Sequence, residues 1–198
     1  MTAIAATSGE GRRGLDIGLA IKQGARLFVN DIGPLIIAAI IAGLLSIVTL
    51  GILAGPLVAG LYGMVIGRVR DGRHPRVGDV FDGFDRFWAY FFAALVLALL
   101  VGLASITIVG GFLLATIWLY VFPLMVDKGM RLGEALKTSK DMVVAGGFWE
   151  HLALVVIGFV IASIANGALA IIASPFLIVV VAAAYFLADD NDAALAKA

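Results

Sequence analysis

Reading the chain for charged residues alone leaves three long blanks. No Asp, Glu, Lys, Arg or His falls within Ile32–Gly67, Phe87–Val126 or Leu152–Ala188, stretches of 36, 40 and 37 residues. A helix rises about 1.5 Å per residue, and about 20 residues cross a hydrocarbon core roughly 30 Å thick. Each blank is therefore too long for one crossing and about right for two, so each is expected to fold back on itself. The composition agrees: the chain is 62% hydrophobic and only 14% charged, with a mean hydropathy of +1.08. An ordinary soluble domain is roughly 45–50% apolar and about 25% charged. A lipid bilayer is the solvent this composition fits.

The fold-back points show as punctuation. Thr49-Leu50-Gly51 to Gly55-Pro56 combines glycine with a proline suited to the first turn of a new helix. Gly110-Gly111 divides the second block, and Ser174-Pro175 divides the third. Backbone polar groups cannot stay unpaired in lipid, so these turns must be short and lie at an interface or inside the bundle. Helices are expected near 31–49, 54–70, 87–108, 111–126, 148–172 and 175–188. The fold class is then an all-α polytopic membrane bundle of about six membrane helices arranged as three hairpins.

Orientation follows from where the cations fall. All 14 Lys and Arg lie in the N-terminal segment, in Arg68–Arg86, in Lys128–Lys140 or at Lys197, and the three turns carry none. The positive-inside rule assigns those segments and both termini to the cytoplasmic side. Short helices leave a second topology open, in which the hairpins are wedges that enter from the cytoplasm and turn within the bilayer. The segment Gly14–Val29 is interrupted by Asp16, Lys22 and Arg26 and so lacks the continuous apolar stretch of a cleaved signal peptide.

A repeat of about 55–60 residues underlies the three blocks. Each is preceded by a mixed segment, Leu15–Asn30, Val77–Arg86 or Arg131–Ala145, and Ala20-Ile21-Lys22, Val80-Phe81-Asp82 and Ala135-Leu136-Lys137 stand at equivalent distances upstream. Leu15, Leu19, Lys22, Arg26 and Val29 have helical spacing with charge on one side, the pattern of an amphipathic helix lying at the headgroup level. Residues 15–188 thus form one membrane domain of three repeats, about 15–70, 77–126 and 131–188, between tails at 1–14 and 189–198.

The candidate site residues are interfacial and structural rather than chemical. Arg68, Arg70, Arg73 and Arg76 form the densest basic cluster, a candidate site for anionic lipid headgroups. Phe84, Phe87, Trp88, Tyr90, Phe148 and Trp149 gather where the mixed segments meet the apolar blocks, as interfacial anchors do. Small residues recur every fourth position at Gly51, Gly55, Ala59, Gly63 and Gly67, and again at Gly158, Ala162 and Asn166, which suits close helix packing within the chain or against a second copy. Glu150 and His151, at the start of the fifth helix, read as capping and interfacial groups. Asn166 is an amide at mid-membrane, where it hydrogen-bonds another helix or lines a cavity. With no cysteine, no second His near His74, and no phosphate loop or nucleophile–base arrangement, neither a cofactor nor a metal is expected, and a net charge of +0 gives no pull toward nucleic acid.

Three short motifs carry a family resemblance: Gly55-Pro56-Leu57-Val58-Ala59-Gly60-Leu61-Tyr62, Asp79-Val80-Phe81-Asp82-Gly83-Phe84 and Glu134-Ala135-Leu136-Lys137-Thr138-Ser139. In these the chain resembles a loose group of uncharacterised bacterial multi-pass inner-membrane proteins and the membrane portion attached to some glycerophosphodiester phosphodiesterases. The resemblance implies a poly-helical inner-membrane protein. It brings no catalytic residues, because the phosphodiesterase chemistry of the fused forms resides in a separate soluble domain. The expected function is a non-enzymatic organiser of membrane lipid or partner proteins, and the alternative is a channel or transporter for a small neutral or lipid-like solute.

Overall fold

The computed structural model describes residues 14–165 and 168–189. The described residues form the helices α1 (Ile17–Asn30), α2 (Ile32–Val48), α3 (Ala54–Asp71), a 3-10 helix (Val77–Arg86), α4 (Phe87–Ala104), α5 (Ile108–Ile117), α6 (Val121–Asp127), α7 (Leu132–Ala145), α8 (Phe148–Ile164) and α9 (Ala168–Ala188). Three helical runs, Val77–Ala104, Ile108–Asp127 and Leu169–Ala188, are long and apolar enough to cross a membrane. The count rises to five if the bent pairs α1–α2 and α7–α8 are each one span. The chain is therefore an all-helical, membrane-embedded protein. Helix α3 falls outside the count because its last turn carries Arg68, Arg70 and Asp71.

The mixed segments start with acidic caps. Asp16 accepts the Leu19 N–H at 2.9 Å at the head of α1. Asp79 accepts the Arg76 N–H at 3.0 Å, and Glu134 accepts the Arg131 N–H at 3.3 Å. The last two come from the same pattern, Arg76-Val77-Gly78-Asp79 and Arg131-Leu132-Gly133-Glu134, in which an acid three residues on satisfies an otherwise unpaired donor. Helix α1 then meets α2 at 92°, and α7 meets α8 at 107°. In the second repeat the mixed segment is a 3-10 helix that adjoins α4 directly, with Arg86 outside the helical region (φ −123°, ψ 42°) much as Asp31 is between α1 and α2 (φ −124°, ψ 29°).

Helix α3 is the most deeply embedded, buried at nearly every position from Gly55 to Val69. Its small residues admit backbone rather than side chains. A Cβ at Gly60 would fall on the Val80 carbonyl, one at Gly55 on the Tyr90 carbonyl, and one at Gly83 on the Pro56 carbonyl. The 3-10 helix and α4 thus lie against α3 at backbone contact, which gains dispersion where no hydrophobic effect joins helices in lipid. At the other flank, α1 packs on α9, and a Cβ at Gly24 would lie 3.0 Å from the Val180 Cα.

The expected turns are met in one block and displaced in two. Residues 49–53 form the first turn, with Leu50 at φ 51° and Gly51 at φ 85°, and Thr49 Oγ1 donates to Leu45 O at 2.7 Å. The second turn lies at Ser105–Thr107 rather than at Gly110-Gly111. Those glycines start α5, where a Cβ at Gly110 would lie 2.6 Å from Ala104 O and one at Gly111 would overlap Ser105. They permit the tight approach and do not make the turn. Pro175 does not start a helix either, because it sits inside α9, which begins at Ala168. In the sequence Asn166-Gly167 is the stronger turn signal, and Pro within a membrane helix is tolerated where neighbours accommodate the freed carbonyl.

The expected helix 111–126 is two helices, broken at Trp118–Tyr120. Pro123 explains the break, since its ring clashes with the carbonyl four residues back, at Leu119, and it has no N–H to donate. Two other backbone groups at the break are taken up by a side chain. Ser139 Oγ, fully buried on α7, donates to Ile117 O at 2.8 Å and accepts the Tyr120 N–H at 3.1 Å.

Two substitution sets test this packing by titrating helicity with a denaturing detergent. Gly60→Ala is expected to lose about 1–3 kcal/mol through overpacking, whereas Gly63→Ala, whose Cβ would meet only Val126 Cγ1 at 3.8 Å, is expected to be neutral or slightly stabilising. Ser139→Ala strands two buried backbone groups and is expected to lose about 1–3 kcal/mol.

Candidate functional site

Charged side chains border each apolar block, and the fold brings them into one polar layer. Asp31, before α2, and Arg68, in the last turn of α3, pair at 2.8 Å, so the first block returns to the side from which it left. The Asp31 carboxylate, only 6% exposed, also accepts His74 Nδ1 at 2.9 Å. The second block closes in the same way, with Arg86 donating to Met125 O at 3.3 Å and its guanidinium 5.8 Å from the Tyr90 ring.

Asp127 ties the three blocks together. Its side chain is 1% exposed and receives both Nε and a terminal nitrogen of Arg70, a bidentate pair, as well as the Tyr185 hydroxyl at 2.6 Å. The Arg70 guanidinium in turn lies 5.5 Å from the centre of the Phe186 ring. Arg70 ends the first block, Asp127 the second, and Tyr185 and Phe186 the third. Lys128 and Asp189 add an ion pair beside it. A carboxylate this buried persists only when paired and hydrogen-bonded.

Inside this layer lie further polar groups. The Tyr120 ring meets His151 edge-on at 5.4 Å and Tyr185 at 6.0 Å. His151 is fully buried, not interfacial as expected, because α7 and the Gly146-Gly147 junction fold over the start of α8; its Nδ1 donates to Gly147 O at 2.6 Å. Leu15 N–H donates to Gly146 O at 2.7 Å, joining the first repeat to the third at the same point. Among the described residues Gln23 Oε1, Tyr120 Oη and His151 Nε2 are buried without a hydrogen-bond partner. No group of three or more His, Asp or Glu is placed to hold a metal ion among them.

The expected site residues separate on this layer. Of the four arginines, Arg68 and Arg70 serve the internal ion pairs, while Arg73 and Arg76 are exposed, Arg73 with Asp79 at 3.9 Å. Among the aromatic residues Trp88 and Trp149 are 66% and 75% exposed, and Phe84, Phe87 and Phe148 are half-buried. Tyr90 is a correction: it is buried against α3, beneath Arg86, and is not on the rim. The first small-residue series serves several neighbours, Gly55 facing α4, Gly63 facing α6 and Gly67 facing the Arg73 side chain, with Ala59 buried and Gly51 in the turn. In the second, Gly158 faces Leu177, Ala162 is exposed, and Asn166 lies outside the described residues.

Asp31, Asp127, Tyr185, Ser139 and Gly60 join the candidate residues only through the fold; in the sequence the two acids are marked by position alone, each being the first charge at the edge of a blank.

The assembled groups define the polar layer of a membrane-embedded helical protein, with an ion-paired hub. No family model matches the chain, and neither a curated protein nor a solved structure matches it.

Removing the hub should loosen all three repeats. Asp127→Ala is expected to lose about 2–3 kcal/mol, less than a fully buried pair because Arg70 reaches solvent, and Tyr185→Phe about 1 kcal/mol. Reversible unfolding in mixed micelles measures both.

Proposed function

We propose that the protein is a non-enzymatic membrane organiser that enters the bilayer as three helical hairpins with both termini cytoplasmic and arranges lipid or partner proteins around itself. The observation that carries this reading is the near right-angle junction found in both the first and the third repeat. If α2 and α8 run along the bilayer normal, the 92° and 107° bends lay α1 and α7 in the plane of the headgroups. Both belong to the charged end, so they add cross-section to one leaflet only. Such an asymmetric insertion favours curvature or lateral assembly.

The distribution of burial supports the same reading. Buried residues of α2 stop at Ala42, and those of α4 and α8 stop at Ala93 and Leu154. Beyond them Leu44, Ile47, Val48, Leu103, Ile106 and Ile164 stand exposed, offering apolar surface to lipid or to another membrane protein. The positive-inside rule assigns the polar layer to the cytoplasm, and a bacterial inner membrane is the setting that the family resemblance implies. A conduit for solute is less favoured, because α3 buries Leu57, Leu61, Met64 and Val65 around its circumference and its neighbours reach it at backbone contact.

Two measurements test the reading. The chain has no cysteine, so single cysteines at Leu50, Ser105 and Asp141 report without background. A membrane-impermeant maleimide added outside cells is expected to label the first two and to reach the third only after permeabilisation; the reverse pattern would overturn the orientation, and protection of Leu50 and Ser105 from both sides would replace full crossings by wedges. Reconstituted protein is expected to narrow or tubulate liposomes or to self-associate, and monomers in unaltered vesicles would overturn the organising role.

A further inference from the structure

Helices α8 and α9 follow one another in the chain yet lean on different partners. Phe159 of α8 packs edge-on against Phe112 of α5 at 5.1 Å, while Phe176 of α9 packs against Phe28 of α1 at 5.6 Å. Val180 of α9 sits over Gly24 of α1. The two helices are drawn apart, and a cleft of about 190 Å³ opens between them. Ile21, Leu119, Leu154, Gly158, Phe176 and Leu177 line it, and every other lining residue is also apolar. Ile157, an exposed member of the lining, stands at its mouth.

Apolar cavities of about 150 Å³ stay dry and accept small hydrocarbons. A cleft of this size and lining takes hydrocarbon in preference to water. It extends from Leu154, one turn inside the polar layer, to Ile161, about 10 Å further along α8, so its long direction follows that of a lipid tail. Its shallow end is closed by Ile21 on α1. Lys22 is the next residue, and Arg26 lies one turn on; both are exposed. A larger cleft of about 370 Å³ between α4, α5 and α8 includes the turn residue Ser105, and no Lys or Arg stands within four residues of any member of its lining. Of these two clefts the first is the one whose lining adjoins cations in the chain.

We propose that the cleft between α8 and α9 holds one acyl chain of an anionic phospholipid, whose phosphate is drawn to Lys22 and Arg26 on the adjoining amphipathic helix. The site rests on the lipid-organising reading and gives it a ligand: lipid is bound at a fixed place, not only displaced. Helix α1 supplies both the wall at Ile21 and the two cations, so the ligand bridges the first repeat and the last. A Cβ at Gly158 would meet only Leu177 Cδ2, at 3.5 Å, so a larger side chain there grows into the cleft without striking backbone.

Native mass spectrometry of the full chain in micelles, supplied with phosphatidylglycerol or phosphatidylcholine of identical chains, tests the site. One phosphatidylglycerol per chain is expected to be retained, with a preference over phosphatidylcholine of roughly 30-fold for two interfacial charges. Lys22→Gln with Arg26→Gln, both on an exposed face and outside the core, is expected to erase the preference and leave binding of either lipid. Gly158→Leu is expected to reduce retention of both lipids at least tenfold. Absence of retained lipid, or retention and preference unchanged in the Lys22/Arg26 variant, would overturn the proposal. Remodelled liposomes without retained lipid would sink the site and spare the organising role, and retained lipid with unaltered liposomes would do the opposite.

Discussion

Hydrocarbon offers neither counter-charge nor hydrogen bond, and this single constraint arranges most of the molecule. Among the described residues the charged side chains gather at one end of the bundle, and there the buried carboxylates of Asp31 and Asp127 are paired. Asp127 illustrates the economy of the solution: one carboxylate receives an arginine from the first repeat and a tyrosine from the third. Asp31 does the same on a smaller scale with Arg68 and His74. The polar layer is thus a clamp as well as a boundary. Because the ends of the apolar blocks are joined there, their middles need few specific contacts with one another.

The backbone obeys the same constraint. Where the chain breaks between α5 and α6, Ser139 arrives from α7 to satisfy Ile117 O and the Tyr120 N–H. Where the chain turns at residues 49–53 and 105–107, Thr49, Ser105 and Thr107 return their hydroxyls to carbonyls of the helix just ended. Helix α7 and the break between α5 and α6 become parts of one device, and a disturbance of α7 reaches both through one hydroxyl.

What the sequence made legible was set by the terms with the largest energies. The exclusion of charge from lipid marked the three blocks and the helical class, and the acid-capped mixed segments marked α1 and α7. The first turn was legible because Gly51 and Pro56 bracket it. Finer features were not, since proline and glycine serve several ends. Pro123 breaks a helix, Pro175 rides within one, and Gly110-Gly111 allow close approach beside a turn made by other residues. The spacing of small residues pointed to Gly63 on α3, whereas the tightest contact is at Gly60, because a periodic stripe shows that a face is smooth without showing which neighbour it meets. The ion-paired hub was invisible for a related reason: Arg70, Asp127 and Tyr185 are far apart in the chain, and no local pattern links them.

The docking of α1 on α9 has a consequence for how the protein is made. Gly24 and Val180 meet although more than 150 residues separate them, so α1 rests against a helix made long after it. During synthesis α1 has no berth until α9 has been inserted. The pair thus closes like a clasp, in which the half made earlier waits for the later one, and truncation before α9 would leave α1 without its seat.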